Sequence, residues 1–395
     1  MIARALRGFA DGFVSVFLAT YLTALGFSPL QIGAIVTGTL LGSAALTLGV
    51  GLVAHRRELR VLLLAASGLM AVTGLGFMAV TAFWALMVVA VVGTLNPSAG
   101  DVSVFLPTEQ AFLAGHVDDL DRPRLYAIYN LGAAFAGAFG ALASGLPEYA
   151  ARRVDLSKLD VLRGSFAIYV VVAVVVFFIY RGLRTEHTAV DVAQVDRKPL
   201  AESRQTVIEL AALFCIDSAA GGFVVQSLLV LWLHLRYGLS TETTAGVFFA
   251  VSLLSAFSQL LAGPLAARVG LVRTMVFTHL PANLFLALAA FAPSAGLAIA
   301  CLLVRSLFSQ MDVPARQALV MAVVTPEERA AAASVTNVPR SLASATTPLI
   351  AGALLKSTTF GWPLVIAGLG KATYDLLLLA RFGRRAQATP ALGRR

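Results

Sequence analysis

The sequence predicts an all-α membrane protein of twelve transmembrane helices, arranged as two pseudo-symmetric six-helix bundles. Three observations predict it. Of 395 residues, 58% are hydrophobic and only 13% charged, against about 25% charged in a soluble domain, and mean hydropathy is +0.83. Apolar runs of ~18 residues or more, long enough to cross a bilayer, recur along the chain. The second half repeats the first. Pro107-Thr108-Glu109-Gln110-Ala111 lines up with Pro314-Ala315-Arg316-Gln317-Ala318, and the same offset sets Asp121-Arg122 on Glu328-Arg329, Asn130 on Asn337 and Gly145 on Gly352. With small shifts, Gly12-Phe13-Val14 matches Gly222-Phe223-Val224 and Gly26-Phe27-Ser28 matches Gly238-Leu239-Ser240. Repeats of this kind commonly hold a site between the halves, near the bilayer midplane.

Lipid leaves no solvent partner for backbone groups, so the spans are expected as helices; the alternation of membrane β-strands is absent. They are placed at 4–26, 29–54, 61–81, 83–113, 124–146, 162–183, 206–235, 240–266, 272–292, 294–323, 331–355 and 361–381. Span one follows Arg4 and Arg7 like a signal peptide, but Asp11 inside it and eleven further spans predict a retained helix. Spans two and three are joined by the basic loop 51–60. Span four is interrupted by Pro97, Gly100 and Pro107, and span five is rich in small residues. Span six runs into a polar stretch. Span seven carries Gly221-Gly222, which loosen it. Spans eight and nine share a second basic loop, 263–273. Span ten holds the densest polar run, span eleven Thr347-Pro348, and span twelve Lys371 and Asp375. Three domains follow: 1–183 as the N-terminal bundle, 184–205 as a cytoplasmic linker, and 206–395 as the C-terminal bundle with a short basic tail.

With the N-terminus inside, 20 of the 30 Lys and Arg residues fall on the cytoplasmic side. The positive-inside rule therefore predicts an integral protein of the cytoplasmic (inner) membrane with both termini cytoplasmic. The net charge of +9 belongs to that asymmetry and calls for no nucleic acid. Expected partners are a small-molecule substrate, H⁺ and membrane lipid, and the chain is expected to act as a monomer. Cys215 and Cys301 both sit within spans, where no structural disulfide is expected.

Two six-helix halves around a cytoplasmic linker resemble the major facilitator superfamily, which carries G-x-x-x-D-R-x-G-R-R between helices two and three and a weaker copy between eight and nine. Here Gly51-Leu52-Val53-Ala54-His55-Arg56-Arg57-Glu58-Leu59-Arg60 fills the first place, with His55 for the Asp and Glu58 for the second Gly. Gly263-Pro264-Leu265-Ala266-Ala267-Arg268-Val269-Gly270-Leu271-Val272-Arg273 fills the second, with Ala267 for the Asp. In that family the loop latches the inward gate through charge pairs. The antiporter branch adds G-x-x-x-G-P-x-x-G-G in helix five; here Gly132 to Gly140 carries no Pro. The resemblance implies alternating access, a cavity lined by helices one, four, seven and ten, and no enzymatic activity.

Ionisable groups inside a bilayer are candidates for function. Asp11, with Arg7 one turn back, Asp217 and Asp101 are the candidate proton or cation sites. Asp217 has no basic residue at i±3 or i±4 and lies roughly eleven residues into its span, near mid-bilayer at ~1.5 Å per residue. A buried carboxylate without a counter-ion is suited to binding and releasing a proton. Candidate cavity residues are Arg305, Asn96, Asp312, Gln226, Asn130, Asn337 and Arg340. Asp312 and Arg316 are expected as an i,i+4 pair. Arg305 cannot shed its charge and lacks an acid on its own helix, so it needs a carboxylate from elsewhere or an anionic ligand. Gate candidates are Arg56, Arg268, Glu109, Arg316, Asp121, Arg122, Glu328 and Arg329, the last four being solvated loop charges on the simpler reading. Lys371 and Asp375 are read as a structural i,i+4 pair, and the five histidines as scattered. No phosphate loop, metal-ligand spacing or nucleophile motif occurs, and no cofactor is expected.

These residues predict a secondary transporter, with proton-coupled efflux of a small organic compound as the first reading. An anion symporter or exchanger using Arg305 and Arg340 is the second. A non-transporting receptor or a lipid-modifying membrane enzyme is the alternative of another class.

Overall fold

The structure, a computed structural model, describes residues 1–53, 58–98, 104–105, 108–109, 122–153, 157–183, 200, 202–325 and 328–383. Among them every predicted span contains helix and no strand occurs, as closure of backbone hydrogen bonds within each segment requires. Six spans are single helices of matching extent: α1 (Ile2–Ala24), α2 (Pro29–Val53), α3 (Leu59–Ala79), α5 (Arg122–Ala143), α11 (Thr241–Val269) and α12 (Leu271–Phe291). So are the last two, α15 (Arg329–Ser357) and α16 (Trp362–Phe382). Span six is built from α7 (Lys158–Ser165) and α8 (Ala167–Arg181), which meet at Phe166, with the short α6 (Leu146–Ala151) before them.

The three longest predicted spans, four, seven and ten, are each broken. In span four, α4 (Phe83–Val92) stops at Gly93, and residues 93–98, Pro97 among them, are irregular. Span seven divides into α9 (Arg204–Gly222) and α10 (Gln226–Tyr237), directly after Gly221-Gly222. Span ten divides into α13 (Ala295–Ser306) and α14 (Asp312–Ala322), with Pro314 in the first turn of α14. Proline lacks the donor an inner turn needs. Irregular backbone at membrane depth is tolerated where protein or a cavity surrounds it. Among the described residues seven stretches, Leu59–Ala79 and Arg204–Tyr237 among them, are long and apolar enough to cross a membrane by length and composition.

The repeat survives as backbone geometry. Gly26 and Gly238 both take positive φ, +81° and +66°, where a Cβ would be strained. Two residues on, each repeat starts a helix the same way: Ser28 Oγ accepts from Gln31 N at 3.4 Å and Ser240 Oγ from Thr243 N at 3.2 Å, as N-cap serines do.

The chain packs as two compact units. The first holds residues 1–193 together with 224–253 and 345–359; the second holds 194–223, 254–344 and 360–395. In the first unit α1 crosses α5 at backbone contact. A Cβ on Gly12 would lie 2.0 Å from Gly137 O, and one on Gly140 1.9 Å from Phe9 O. Above that crossing, Phe13, Phe17 and Tyr21 stack along α1 against Phe77 and Phe166. This unit also joins segments from both sequence halves, with Gly33 of α2 against Gly352 of α15. The second unit is cored by Val207, Leu210 and Phe214 of α9, Met275 and Val276 of α12, and Tyr374 and Leu378 of α16.

Candidate functional site

Each unit encloses one buried charge cluster. In the first, Arg7 of α1 is 2% exposed and ion-pairs with Glu109, which also accepts hydrogen bonds from the hydroxyls of Tyr129 and Tyr180. The Arg7 guanidinium lies 4.1 Å over the Phe105 ring, an added attraction for a cation. Glu109 is thus the buried centre of a network from four segments. Asp11, one turn along α1, is buried and has no hydrogen bond or ion pair among the described residues. The local Arg7–Asp11 pair that i,i+4 spacing offered is not formed, because Arg7 is turned to Glu109.

The second cluster centres on Asp217 of α9, 4% exposed. Its Oδ1 accepts from Lys371 Nζ of α16 at 2.6 Å, and its Oδ2 from Arg316 Nη1 of α14 at 3.3 Å. Asp217 is therefore not the carboxylate without a counter-ion that its own helix suggested; the cations come from other helices, which spacing along one helix cannot reveal. Arg316 also reaches Asp312 at 3.3 Å, the expected i,i+4 pair. Lys371 and Asp375 do not pair with each other: Asp375 Oδ1 lies 3.0 Å from His279 Nδ1, and Asp375 Oδ2 accepts from Asn283 Nδ2 at 2.8 Å. His279 and Asn283 of α12 went unrecognised in the sequence. The available signal was a polar pair at i,i+4 inside an otherwise apolar span.

The two clusters are related by the repeat, with charge inverted. The Gly-Phe-Val match sets Arg7 on Asp217, and the Pro107/Pro314 match sets Glu109 on Arg316. Arg7–Glu109 and Asp217–Arg316 are the same bridge built in opposite polarity. The packing counterpart of Asp217 is Arg7 rather than Asp11.

The remaining candidates are scattered. Asn96 is buried, its Oδ1 accepting from Ser98 N at 3.1 Å and Ser98 Oγ at 2.9 Å, so it caps the irregular turn after α4. Arg305 finds no carboxylate among the described residues, and its Nε is buried without a hydrogen-bond partner. Gln226 Nε2, at the start of α10, is buried in the same condition. Asn130 and Asn337 are both exposed, and Arg340 is half-buried. Arg268 and Arg329 are exposed at helix ends. Glu328 is not a solvated loop charge: it is 3% exposed and accepts the backbone N–H groups of Glu202 and Ser203 at 3.0 and 3.3 Å, satisfying donors at the start of α9. Asp101, Arg56 and Asp121 lie outside the described residues, as does the side chain of Arg122.

At the opposite end of the first unit, α1 and α6 meet α11. Glu148 accepts the Thr241 backbone N–H at 2.9 Å and Lys158 Nζ at 3.1 Å, while Thr20 Oγ1 lies 3.1 Å from Thr241 Oγ1. A cavity of about 120 Å³ sits there, lined by Thr20, Thr23, Glu148, His234 and Thr244 among others. It is smaller than the ~300 Å³ or more of an ordinary ligand pocket. Among the described residues no group of three His, Cys, Asp or Glu could hold a metal ion.

A family model described as Major Facilitator Superfamily matches residues 1–304 and 218–394. The uncharacterized membrane protein YJR124C of Saccharomyces cerevisiae is 23% identical over 95% of this chain and 92% of its own length. Among solved structures, the nucleoside transporter NupG has a TM-score of 0.73 at 15% identity, covering 96% of this chain and 97% of that one. The inward open xylose transporter XylE from E. coli reaches 0.74 at 14% identity, covering 95% and 94%. A bacterial homolog of the human lysosomal transporter Spinster, inward-facing and unoccupied, reaches 0.69 at 15% identity, covering 98% and 95%.

Proposed function

The chain belongs to the Major Facilitator Superfamily, and from that premise we propose that it moves a small organic molecule across the cytoplasmic membrane by proton-coupled alternating access, as an exporter. A family of transporters, with transporters as its structural neighbours, places it outside the enzymes. The observation that carries the reading is the cluster around Asp217. One carboxylate, on the broken span seven, is held by Arg316 of the broken span ten and Lys371 of span twelve. Charges placed in lipid are expensive and mark ion or substrate paths, and broken helices mark the site in carriers of this kind. Asp11, buried with no hydrogen bond or ion pair among the described residues, is the proton or cation site of the first unit.

A second reading has its own observation. Arg305 keeps its charge and lacks a carboxylate among the described residues, which favours an anion as the transported species. Flux in proteoliposomes separates the two. With a panel of cationic, neutral and anionic compounds under an imposed pH gradient, the exporter reading expects uptake of cations against outward proton flow, lost in Asp217→Asn. Anion uptake together with protons, lost in Arg305→Ala, would replace it with the second reading.

A further inference from the structure

Among the described residues, the charges of the second cluster do not balance without His279. Among the described residues it holds three carboxylates, Asp217, Asp312 and Asp375, and two cations, Lys371 and Arg316, all buried. Neutral His279 leaves one negative charge over; protonated His279 cancels it. An uncompensated charge in a dry interior is costly, so the cluster has a physical reason to gain a proton.

Geometry says where that proton goes. An ionised carboxylate only accepts, and Asp375 Oδ1 lies 3.0 Å from Nδ1, nearer than the donor Asn283 Nδ2 at 3.3 Å, which assigns the hydrogen of the neutral ring to Nδ1. Asn283 holds the other Asp375 oxygen in place at 2.8 Å. Such an outer partner fixes the tautomer and leaves Nε2 with a free lone pair. Nε2 faces Asp217 Oδ1 at 4.0 Å, the same oxygen that accepts Lys371 Nζ at 2.6 Å, while Arg316 takes Oδ2. The groups surrounding the ring are Asp375, Lys371 and Tyr374 on α16, Asp217 on α9, and Asp312 and Arg316 on α14. Its other packed neighbour, α13, carries Cys301 and Arg305, neither hydrogen-bonded to it among the described residues.

We infer that His279 is the proton-binding residue of this cluster and that its protonation loosens Lys371 from Asp217. A proton from water adds to the Nε2 lone pair. No other bond to hydrogen is broken, and Lys371 stays an ammonium. The new N–H points at Asp217 Oδ1, where two cations then compete for one oxygen. The displaced ammonium already lies against Gly221, where a Cβ would sit 3.6 Å from Nζ, at the end of α9 just before its break. The negative end of a helix dipole attracts a cation, so the proton is read out at the break. The inference deepens the transport reading by naming its coupling residue, and its chemistry is measurable without any substrate.

The test is ¹⁵N NMR of the full chain in lipid nanodiscs, labelled at histidine and lysine. His55, His116, His187 and His234 are replaced by Gln, leaving His279 as the sole histidine with its cluster untouched. The expected result is a neutral ring protonated at Nδ1 that becomes an imidazolium as the pH is lowered. The Lys371 Nζ signal, assigned by its loss in Lys371→Arg, should move with the same midpoint, and should stop moving in His279→Gln. A ring in one protonation state throughout, a neutral ring protonated at Nε2, or a Lys371 signal indifferent to the histidine would each overturn the inference. Absent proteoliposome flux with an intact titration would count against the transport reading alone.

Discussion

Asp217 illustrates how far one side chain's neighbours decide its meaning. Along α9 it has no counter-ion; in three dimensions it has Lys371 and Arg316. Removing one member of a buried pair strands the other and costs about 3–5 kcal/mol. Asp217→Asn should therefore destabilise the protein by that order in a denaturant or thermal series. Adding Lys371→Met should recover at least half, because Arg316 keeps Asp312 at 3.3 Å. If the double variant is no more stable than the single one, the 2.6 Å contact is not an energetic coupling. At the same scale the sequence was legible for Asp312–Arg316, one turn apart on one helix. It was illegible for Lys371, Asp375 and His279, whose partners are set by helix packing. Glu328 was misread for the same reason: its ligands are backbone groups of a segment over a hundred residues away.

Helices in lipid have little hydrophobic drive to associate, so close approach through small residues matters. The α1–α5 crossing rests on Gly12 against Gly137 and Gly140 against Phe9. Because the obstructing atoms are backbone, Gly140→Val has nowhere to relax and should sharply lower both yield of folded protein and melting temperature. Gly246→Ala, with open space around it, should change neither by more than a few tenths of a kcal/mol. Equal behaviour of the two variants in a detergent melt would refute the packing account. Helix existence was legible from apolar run length, and Pro97 and Gly221-Gly222 marked where spans four and seven give way. The run 294–323 read as one long span, since Leu307–Met311 carries no proline or glycine to announce the break between α13 and α14.

At the scale of the molecule, the repeat was legible in the sequence and its consequence was not. Matching Gly12 with Gly222 sets Arg7 on Asp217, which is what the ion pairs obey. The first unit also joins the two sequence halves along a seam where Glu148 caps the start of α11. Burial alone would push that carboxyl up, but hydrogen bonds from Thr241 and Lys158 outweigh it and hold it below the usual carboxylate range. A depressed carboxylate stabilises the fold fully above its unfolded value, about 4.3, and loses that contribution as pH falls through the lower folded value. The seam should thus be unaffected between pH 7 and 5 and weaken only below about pH 4. In Glu148→Gln that acid-dependent loss should vanish from a melting-temperature profile, and its persistence would place the acid sensitivity elsewhere.

The proposed alternating access requires this seam to open. Thr20 Oγ1 and Thr241 Oγ1 are 3.1 Å apart, so Thr20→Cys/Thr241→Cys, in a chain also carrying Cys215→Ala and Cys301→Ala, places two thiols across it. The decisive measurement is the reaction of these thiols, in sealed right-side-out membranes, with a membrane-impermeant maleimide. A seam that opens gives slow labelling that runs to completion as each molecule opens in turn, and none once oxidation has joined the thiols. Thiols that resist the reagent indefinitely in the folded protein, yet react at once after denaturation, would mean the seam never opens, and alternating access would be contradicted.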